Sequence, residues 1–110
     1  MAYGEIYAET LQEWLEQEDV HLIDVREDEE YQEACITGAH LHPLSRFAPD
    51  QIIESLPKDK KIVIHCKAGG RSAQACQILS AHAPDLEYYN LEGGILDWIA
   101  TGHPVKSGKD

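Results

Sequence analysis

A short apolar segment that leads into a cysteine and a loop of small residues constrains this chain more than any other stretch. Residues 62–64 are predicted to form a buried strand, and Cys66 follows after one further residue. A loop with two glycines then separates Cys66 from a helical pattern that begins near Ser72. This order places Cys66 at the carboxyl end of a strand, where open α/β sheets form their ligand crevices.

The surroundings of Cys66 favour the thiolate form of its side chain. Its sulfur is expected to face the backbone N–H groups of the loop and the positive end of the following helix. Lys67 and Arg71 add positive charge nearby. Because the thiolate is the nucleophilic form of cysteine, we predict a reactive residue rather than one that only packs in the core.

Strand and helix patterns alternate along the rest of the chain. Strands are predicted at 6–7, 21–25, 40–41, 61–65 and 86–91. One helix is predicted to begin between residues 8 and 11, and others to cover 28–34, 46–56, 72–82 and 95–100. Pro49 either begins or interrupts the helix at 46–56. The alternation predicts an α/β domain of three layers, with a central, mostly parallel sheet and helices on both faces.

Length and cysteine content limit the class of protein. The chain has 110 residues, and we expect a single domain over 1–110. It contains no apolar run of about 18 residues, and its first residues do not resemble a secretory signal. Three cysteines without metal-type spacing predict free thiols in a reducing, cytoplasmic setting.

The net charge of −11 argues against nucleic acid or an anionic membrane as a partner. The charge is uneven, because residues 1–55 contain 14 acidic residues and only two arginines. Residues 56–110 are nearly neutral. We interpret most of the acidic residues as solvated helix faces, and recruitment of a basic partner is the alternative.

Five motifs in order and spacing resemble the rhodanese homology domain in its single-domain form. They are Asp24-Val-Arg26-Glu27 with Tyr31, Thr37–Pro43, Cys66–Ser72, Leu91–Trp98 and Gly102–Val105. One position departs from the pattern: Cys35-Ile-Thr-Gly-Ala stands where members often carry His-Ile-Pro-Gly-Ala. We expect altered packing there, and a second redox thiol at Cys35 is the alternative.

The resemblance implies sulfur transfer through a persulfide on Cys66. The thiolate would take the outer sulfur of a small anionic donor such as thiosulfate and pass it to cyanide or to a thiol, including a thiol of a protein. The resemblance implies neither a cofactor nor a metal. The substrate-binding residues would be those of the loop: Lys67, Ala68, Gly69, Gly70, Arg71 and Ser72.

Each group of the loop has an expected role. The backbone N–H groups from Lys67 to Ser72 would converge on the terminal sulfur, and Gly69 and Gly70 are expected to supply positive φ angles. Lys67 and Arg71 would attract the anionic donor. The alternatives are a solvent-exposed Lys67 and a structural ion pair between Arg71 and an acid of the first half.

Other polar residues are interpreted as structural. Asp24 and Arg26 are predicted to form an internal polar network. His65 could act as a base, but neighbouring strand residues point to opposite faces, which favours a structural role. Cys76 has the helical spacing of a core residue.

The remaining aromatic side chains and histidines also have a structural interpretation. His40 and His42 share one face of a strand as metal ligands would, but no third ligand is identifiable. Trp14 and Trp98 are expected to anchor the core.

Two alternative functions remain open from the sequence. A Cdc25-like phosphatase or arsenate reductase uses the same fold, but its loop carries one residue more between cysteine and arginine than the four present here. A sulfur-relay interaction module with weak small-molecule activity is the other alternative. Such modules typically lose the cysteine or the glycines, and this chain retains both.

Overall fold

The computed structural model describes residues 3–109, which contain five strands and five α-helices. The strands are β1 (Gly4–Ile6), β2 (Val20–Asp24), β3 (His40–Leu41), β4 (Lys61–His65) and β5 (Tyr88–Leu91). The helices are α1 (Ala8–Glu16), α2 (Asp28–Glu33), α3 (Pro49–Ser55), α4 (Gly70–His82) and α5 (Gly94–Ala100). A short 3₁₀ helix at Leu44–Arg46 precedes α3.

The five strands form one parallel sheet in the order β1-β5-β4-β2-β3. Strand β4 is the central strand, and Ile64 pairs with Ile23 of β2 and with Asn90 of β5. Because both faces of β4 are covered, its apolar residues form a continuous run rather than an alternating pattern. Because the strands are parallel, the carboxyl ends of the central strands lie at the same edge of the sheet.

The helices cover both faces of the sheet, which confirms the predicted three-layer α/β fold. On one face, Ile62 and Ile64 pack with residues of α3 and α4. On the other face, Val63 packs with residues of α1 and α5, including Trp98. Helix α2 buries none of its residues and lies outside both cores. Among the residues described, no helix has the length and hydropathy needed to cross a bilayer.

Several predicted boundaries are wrong by a few residues. For the helix at 46–56, the prediction that Pro49 begins it is confirmed, because α3 starts at Pro49, where the missing N–H of proline is not needed. The first strand ends at Ile6, since Tyr7 is already the N-cap of α1. Helix α4 begins at Gly70, which is two residues earlier than predicted.

Candidate active site

The loop after β4 lies at the carboxyl edge of the sheet, between two neighbouring strands. It begins at Cys66 and runs into α4 at Gly70. The side chain of Cys66 is almost completely buried, with 1% of the residue exposed. Gly69 adopts a left-handed backbone with φ +116°, a conformation that strains other residues. The prediction that Gly70 also needs a positive φ is wrong, since Gly70 has entered the helix.

Backbone amides of the loop and the Ser72 hydroxyl surround the sulfur of Cys66. The backbone N–H of Gly69 donates to Sγ at 3.0 Å, and the hydroxyl of Ser72 lies 3.3 Å from it. Burial raises the pKa of the thiol, but hydrogen bonds from the Ser72 hydroxyl and from the amides of Ser72, Gly69 and Ala68 outweigh burial and lower the pKa overall. The loop backbone and one hydroxyl therefore favour the thiolate.

Arg71 forms a bidentate ion pair with Glu30 of α2. Its Nη1 and Nη2 atoms donate to the two carboxylate oxygens at 2.8 and 2.9 Å. These bonds, with a smaller contribution from the Glu27 amide, hold the pKa of Glu30 at about 2. The alternative of a structural ion pair with an acid of the first half therefore describes Arg71. Its guanidinium ties α4 to α2, and a role of Arg71 in attracting an anionic donor stays a prediction.

Lys67 is exposed and lines a cleft of about 200 Å³ between α2 and α5. The exposed side chains of Leu96 and Ile99 line the same cleft. Lys67 is not among the groups that lower the pKa of Cys66. Its attraction for an anionic donor at the mouth of the site stays a prediction.

Helix α5 packs directly against the loop. The amides of Ile95 and Leu96 donate to the carbonyl oxygens of Cys66 and Lys67 at 3.0 and 3.2 Å. Gly94, the first residue of α5, has φ +58°, and an added Cβ would lie 2.6 Å from the Cys66 carbonyl oxygen. Only glycine therefore permits this close approach, a role that the sequence pattern, which indicated only a turn, did not identify.

A buried polar network fixes the neighbouring loop, as predicted for Asp24 and Arg26. The Arg26 guanidinium donates to Asp24 Oδ2 at 2.7 Å and to the carbonyl oxygen of Ala34 at 2.8 Å. His65 is fully buried, and its Nε2 lies 3.5 Å from Asp24 Oδ2. Burial lowers the pKa of His65. Its ring contacts Asp24 and the Cys66 backbone, in agreement with a structural role.

Asn90 near the end of β5 belongs to the site, although it lies outside the five sequence motifs. Its Oδ1 accepts from the Ser72 hydroxyl at 2.5 Å, and its Nδ2 donates to the Gly69 carbonyl oxygen at 3.3 Å and to Glu5 at 3.2 Å. Asn90 is 3% exposed. The sequence indicated this residue only as a polar side chain in a strand of aromatic and apolar residues, close to the Gly93-Gly94 turn.

The other two cysteines lie away from solvent. Cys76 belongs to the core that α3 and α4 form, and burial raises its pKa to about 12. Cys35 is completely buried, and its backbone pairs with Lys106. All three cysteines are free thiols. Burial raises the pKa of Cys76 whereas the pKa of Cys66 is lowered, so Cys76 favours the unreactive thiol form.

The histidines predicted to share a face are found at the edge of the sheet. The ring of His40 stacks on that of His21, with centroids 4.2 Å apart. Burial and the neighbouring His40 lower the pKa of His42. Within 3–109, no group of three or more histidine, cysteine, aspartate or glutamate side chains is arranged to hold a metal ion. Trp98 is a core residue, and Trp14 is partly buried against the same core.

Sequence comparison relates most of the chain to known proteins. The family model described as Rhodanese-like domain matches residues 7–101. A protein named Sulfurtransferase from Allochromatium vinosum is 37% identical over 103 residues, which cover 93% of this chain and 94% of that protein. An uncharacterized protein from Synechocystis is 36% identical over 96% of this chain, and the chain spans only 57% of its length.

Structure comparison gives the same relationship. The crystal structure of a rhodanese-related protein from Thermoplasma volcanium superposes with a TM-score of 0.81 at 34% identity. The match covers 94% of this chain and 98% of that chain. With its Cys66 loop at the carboxyl edge of a three-layer parallel sheet, and with the family model matching most of its length, this chain belongs to the rhodanese-like domain family.

Proposed function

We propose that this protein is a sulfurtransferase that carries a sulfane sulfur as a persulfide on Cys66. The observation that carries the proposal is the convergence of the Gly69 amide and the Ser72 hydroxyl on Cys66 Sγ, at 3.0 and 3.3 Å. A thiolate and a terminal persulfide sulfur are both anions, and donors of this kind stabilise either one. The name Sulfurtransferase of the Allochromatium vinosum relative supports the same reaction class.

The reaction consists of two displacements at sulfur. The Cys66 thiolate attacks the outer sulfur of a donor such as thiosulfate, the bond between the two donor sulfurs breaks, and sulfite leaves with the electron pair. Cyanide or a thiolate then attacks the outer sulfur of Cys66–S–S⁻, and the Cys66 thiolate is released. Because the electrons balance within each displacement, the reaction needs no cofactor.

The burial of Cys66 favours a slender donor. Only 1% of the residue is exposed, so a terminal sulfur atom can reach Sγ more easily than a tetrahedral phosphate group. The ion pair between Arg71 and Glu30 also argues against the phosphatase alternative, because Arg71 would have to leave Glu30 to enclose phosphate. We therefore favour a small anionic sulfur donor over a phosphate ester.

The acceptor in the cell is proposed to be a thiol, either of a small molecule or of a protein. Lys67, exposed on the loop next to Cys66, would help to attract the anionic donor, since the chain as a whole carries a charge of −11. This charge also makes nucleic acid and anionic membranes unfavourable partners. Three free cysteines suit a reducing compartment, and we propose the cytoplasm.

Intact-mass measurement after incubation with thiosulfate tests the proposal. The expected result is a gain of one sulfur atom that cyanide removes, with thiocyanate as product. The Cys66→Ser variant should gain no sulfur, whereas the Cys76→Ser variant should behave as the wild type. The absence of any sulfur gain, together with hydrolysis of an aryl phosphate, would favour the phosphatase instead.

A further inference from the structure

The Ser72 hydroxyl has one proton and three possible acceptors. Its Oγ lies 2.5 Å from Asn90 Oδ1, 3.2 Å from the Gly69 carbonyl oxygen and 3.3 Å from Cys66 Sγ. The Gly69 carbonyl oxygen already accepts from the amide of Ala73 and from Asn90 Nδ2. The choice for the Ser72 proton is therefore between Asn90 and Cys66.

The orientation of the Asn90 amide follows from its other contacts. Its Nδ2 faces a carboxylate oxygen of Glu5 and the carbonyl oxygen of Gly69, both of which accept hydrogen bonds. Its Oδ1 must then face Ser72 as an acceptor. With the Ser72 proton on Asn90, the Ser72 oxygen presents a lone pair to Cys66, which suits the neutral thiol S–H as donor.

We propose that Asn90 is a positioning residue that controls the ionisation of Cys66 through the Ser72 hydroxyl. In the thiol state, hydrogen bonds run from Cys66 S–H to Ser72 and from Ser72 O–H to Asn90. When Cys66 loses its proton to solvent, the Ser72 hydroxyl rotates about its Cβ–Oγ bond, keeps its own proton and donates to the thiolate. Asn90 thus favours the thiol, and the rotation links the acceptor of the Ser72 hydroxyl to the charge on the sulfur.

The charged groups around Cys66 do not take part in this rotation. Arg71 carries positive charge near the sulfur but is paired with Glu30, and Lys67 is exposed on the loop. On the β2 side, His65 contacts Asp24, which is paired with Arg26.

The other titratable neighbours lie on α4 and behind Asn90. Cys76 is a buried thiol of α4. Glu5 of β1 contacts Asn90 directly and interacts with Glu92. A variant without the Glu5 charge is therefore needed as a control for any substitution of Asn90.

The test is the pH dependence of the alkylation rate of Cys66 by iodoacetamide, with the labelled residue identified by peptide mass. The Asn90→Leu variant keeps the side-chain size but removes the acceptor, so the midpoint of the rate should shift down by about one unit. The Ser72→Ala variant should shift it up, because the thiolate loses a donor. In the Ser72→Ala background, Asn90→Leu should cause no further shift.

The double variant separates the proposed role from a structural one. A loop that moved when Asn90 was replaced would change the midpoint whether or not Ser72 carried a hydroxyl. Asn90→Ala provides a second variant in case leucine does not fit, and the downward shift should persist in a Glu5→Gln background. An unchanged or raised midpoint in both Asn90 variants, or an equal shift without the Ser72 hydroxyl, would overturn the proposal.

This inference rests on the proposed role of Cys66 as the nucleophile, but its readout does not require sulfur transfer. Sulfur gain from thiosulfate tests the function, and alkylation tests the control of ionisation. A protein that transfers sulfur with an Asn90-independent midpoint refutes only the inference. A protein that shows the predicted midpoints but gains no sulfur refutes only the function.

Discussion

Removing the charge of Glu30 should destabilise the protein at neutral pH and have less effect in acid. In the capping box at the start of α2, the Glu27 amide donates to a carboxylate oxygen of Glu30 at 2.9 Å. In the Glu30→Gln variant, the side-chain amide oxygen can accept this same hydrogen bond. The Glu30→Gln variant therefore removes mainly the bidentate charge pair with Arg71.

The size of the effect follows from the pKa of Glu30. Its fall from 4.5 to about 2 corresponds to an upper limit of about 3 kcal/mol. The Arg71 and Glu30 side chains are 35% and 30% exposed, so solvent screening reduces the expected loss to about 1–2 kcal/mol at pH 7.

The sign of the pH dependence is determined by the lower pKa in the folded state. Because the unfolded chain binds the proton more tightly, the stabilisation is complete above about pH 4.5 and is lost as the pH falls through about 2. The assay is urea unfolding of the wild type and of Glu30→Gln at pH 7 and at several pH values down to 3. The matched control is Glu29→Gln, which removes a charge from the exposed side of α2. Equal unfolding free energies of wild type and Glu30→Gln at pH 7, or a difference that does not shrink in acid, would refute the reasoning.

Three further outcomes are expected. Cys66→Ser should abolish sulfur transfer without loss of folding, whereas Cys76→Ser should keep most of the activity, as a thiosulfate–cyanide assay would measure. Lys67→Ala should raise the KM for thiosulfate a few-fold and change kcat little, and an unchanged KM would mean that the backbone alone binds the donor. Gly94→Ala should cost about 2 kcal/mol or more in urea unfolding, because of the contact with the Cys66 carbonyl oxygen and the positive φ. Gly102→Ala also has a positive φ but meets open space, so it should cost less.

The sequence was sufficient for the fold and the family because local patterns determine both. The apolar run at 62–64 and the loop that follows indicated a buried parallel strand, and β4 is the centre of the sheet. Two local signals compete at 46–56. Apolar periodicity continues through the whole segment, but the Pro49 ring breaks it, so the sequence offered a helix either begun or interrupted at Pro49 and the structure shows that α3 begins there.

The partner of Arg71 could not be identified from the sequence. Glu30 lies 41 residues away, and α2 contains several acidic residues with no local feature that distinguishes Glu30 as a partner. Only the packing of α2 beside the loop after β4 selects it. The sequence therefore left two roles open for Arg71, and tertiary structure supplies the partner that the ion-pair role requires.

Asn90 could not be assigned to the site for a different reason. A polar residue in a strand was visible in the sequence, but its neighbours in the sequence did not reveal its role. A buried asparagine in a strand requires hydrogen-bond partners. The sequence indicates that partners are needed but does not identify them. The partners follow only from strand order: β5 lies beside β4, so the end of β5 is adjacent to the loop that carries Cys66. Once that neighbour is known, a buried amide next to a loop serine and a cysteine becomes a candidate for controlling the nucleophile. Buried polar residues at the carboxyl ends of strands are therefore best assigned after the order of the strands, since neighbouring strands supply the groups with which they interact.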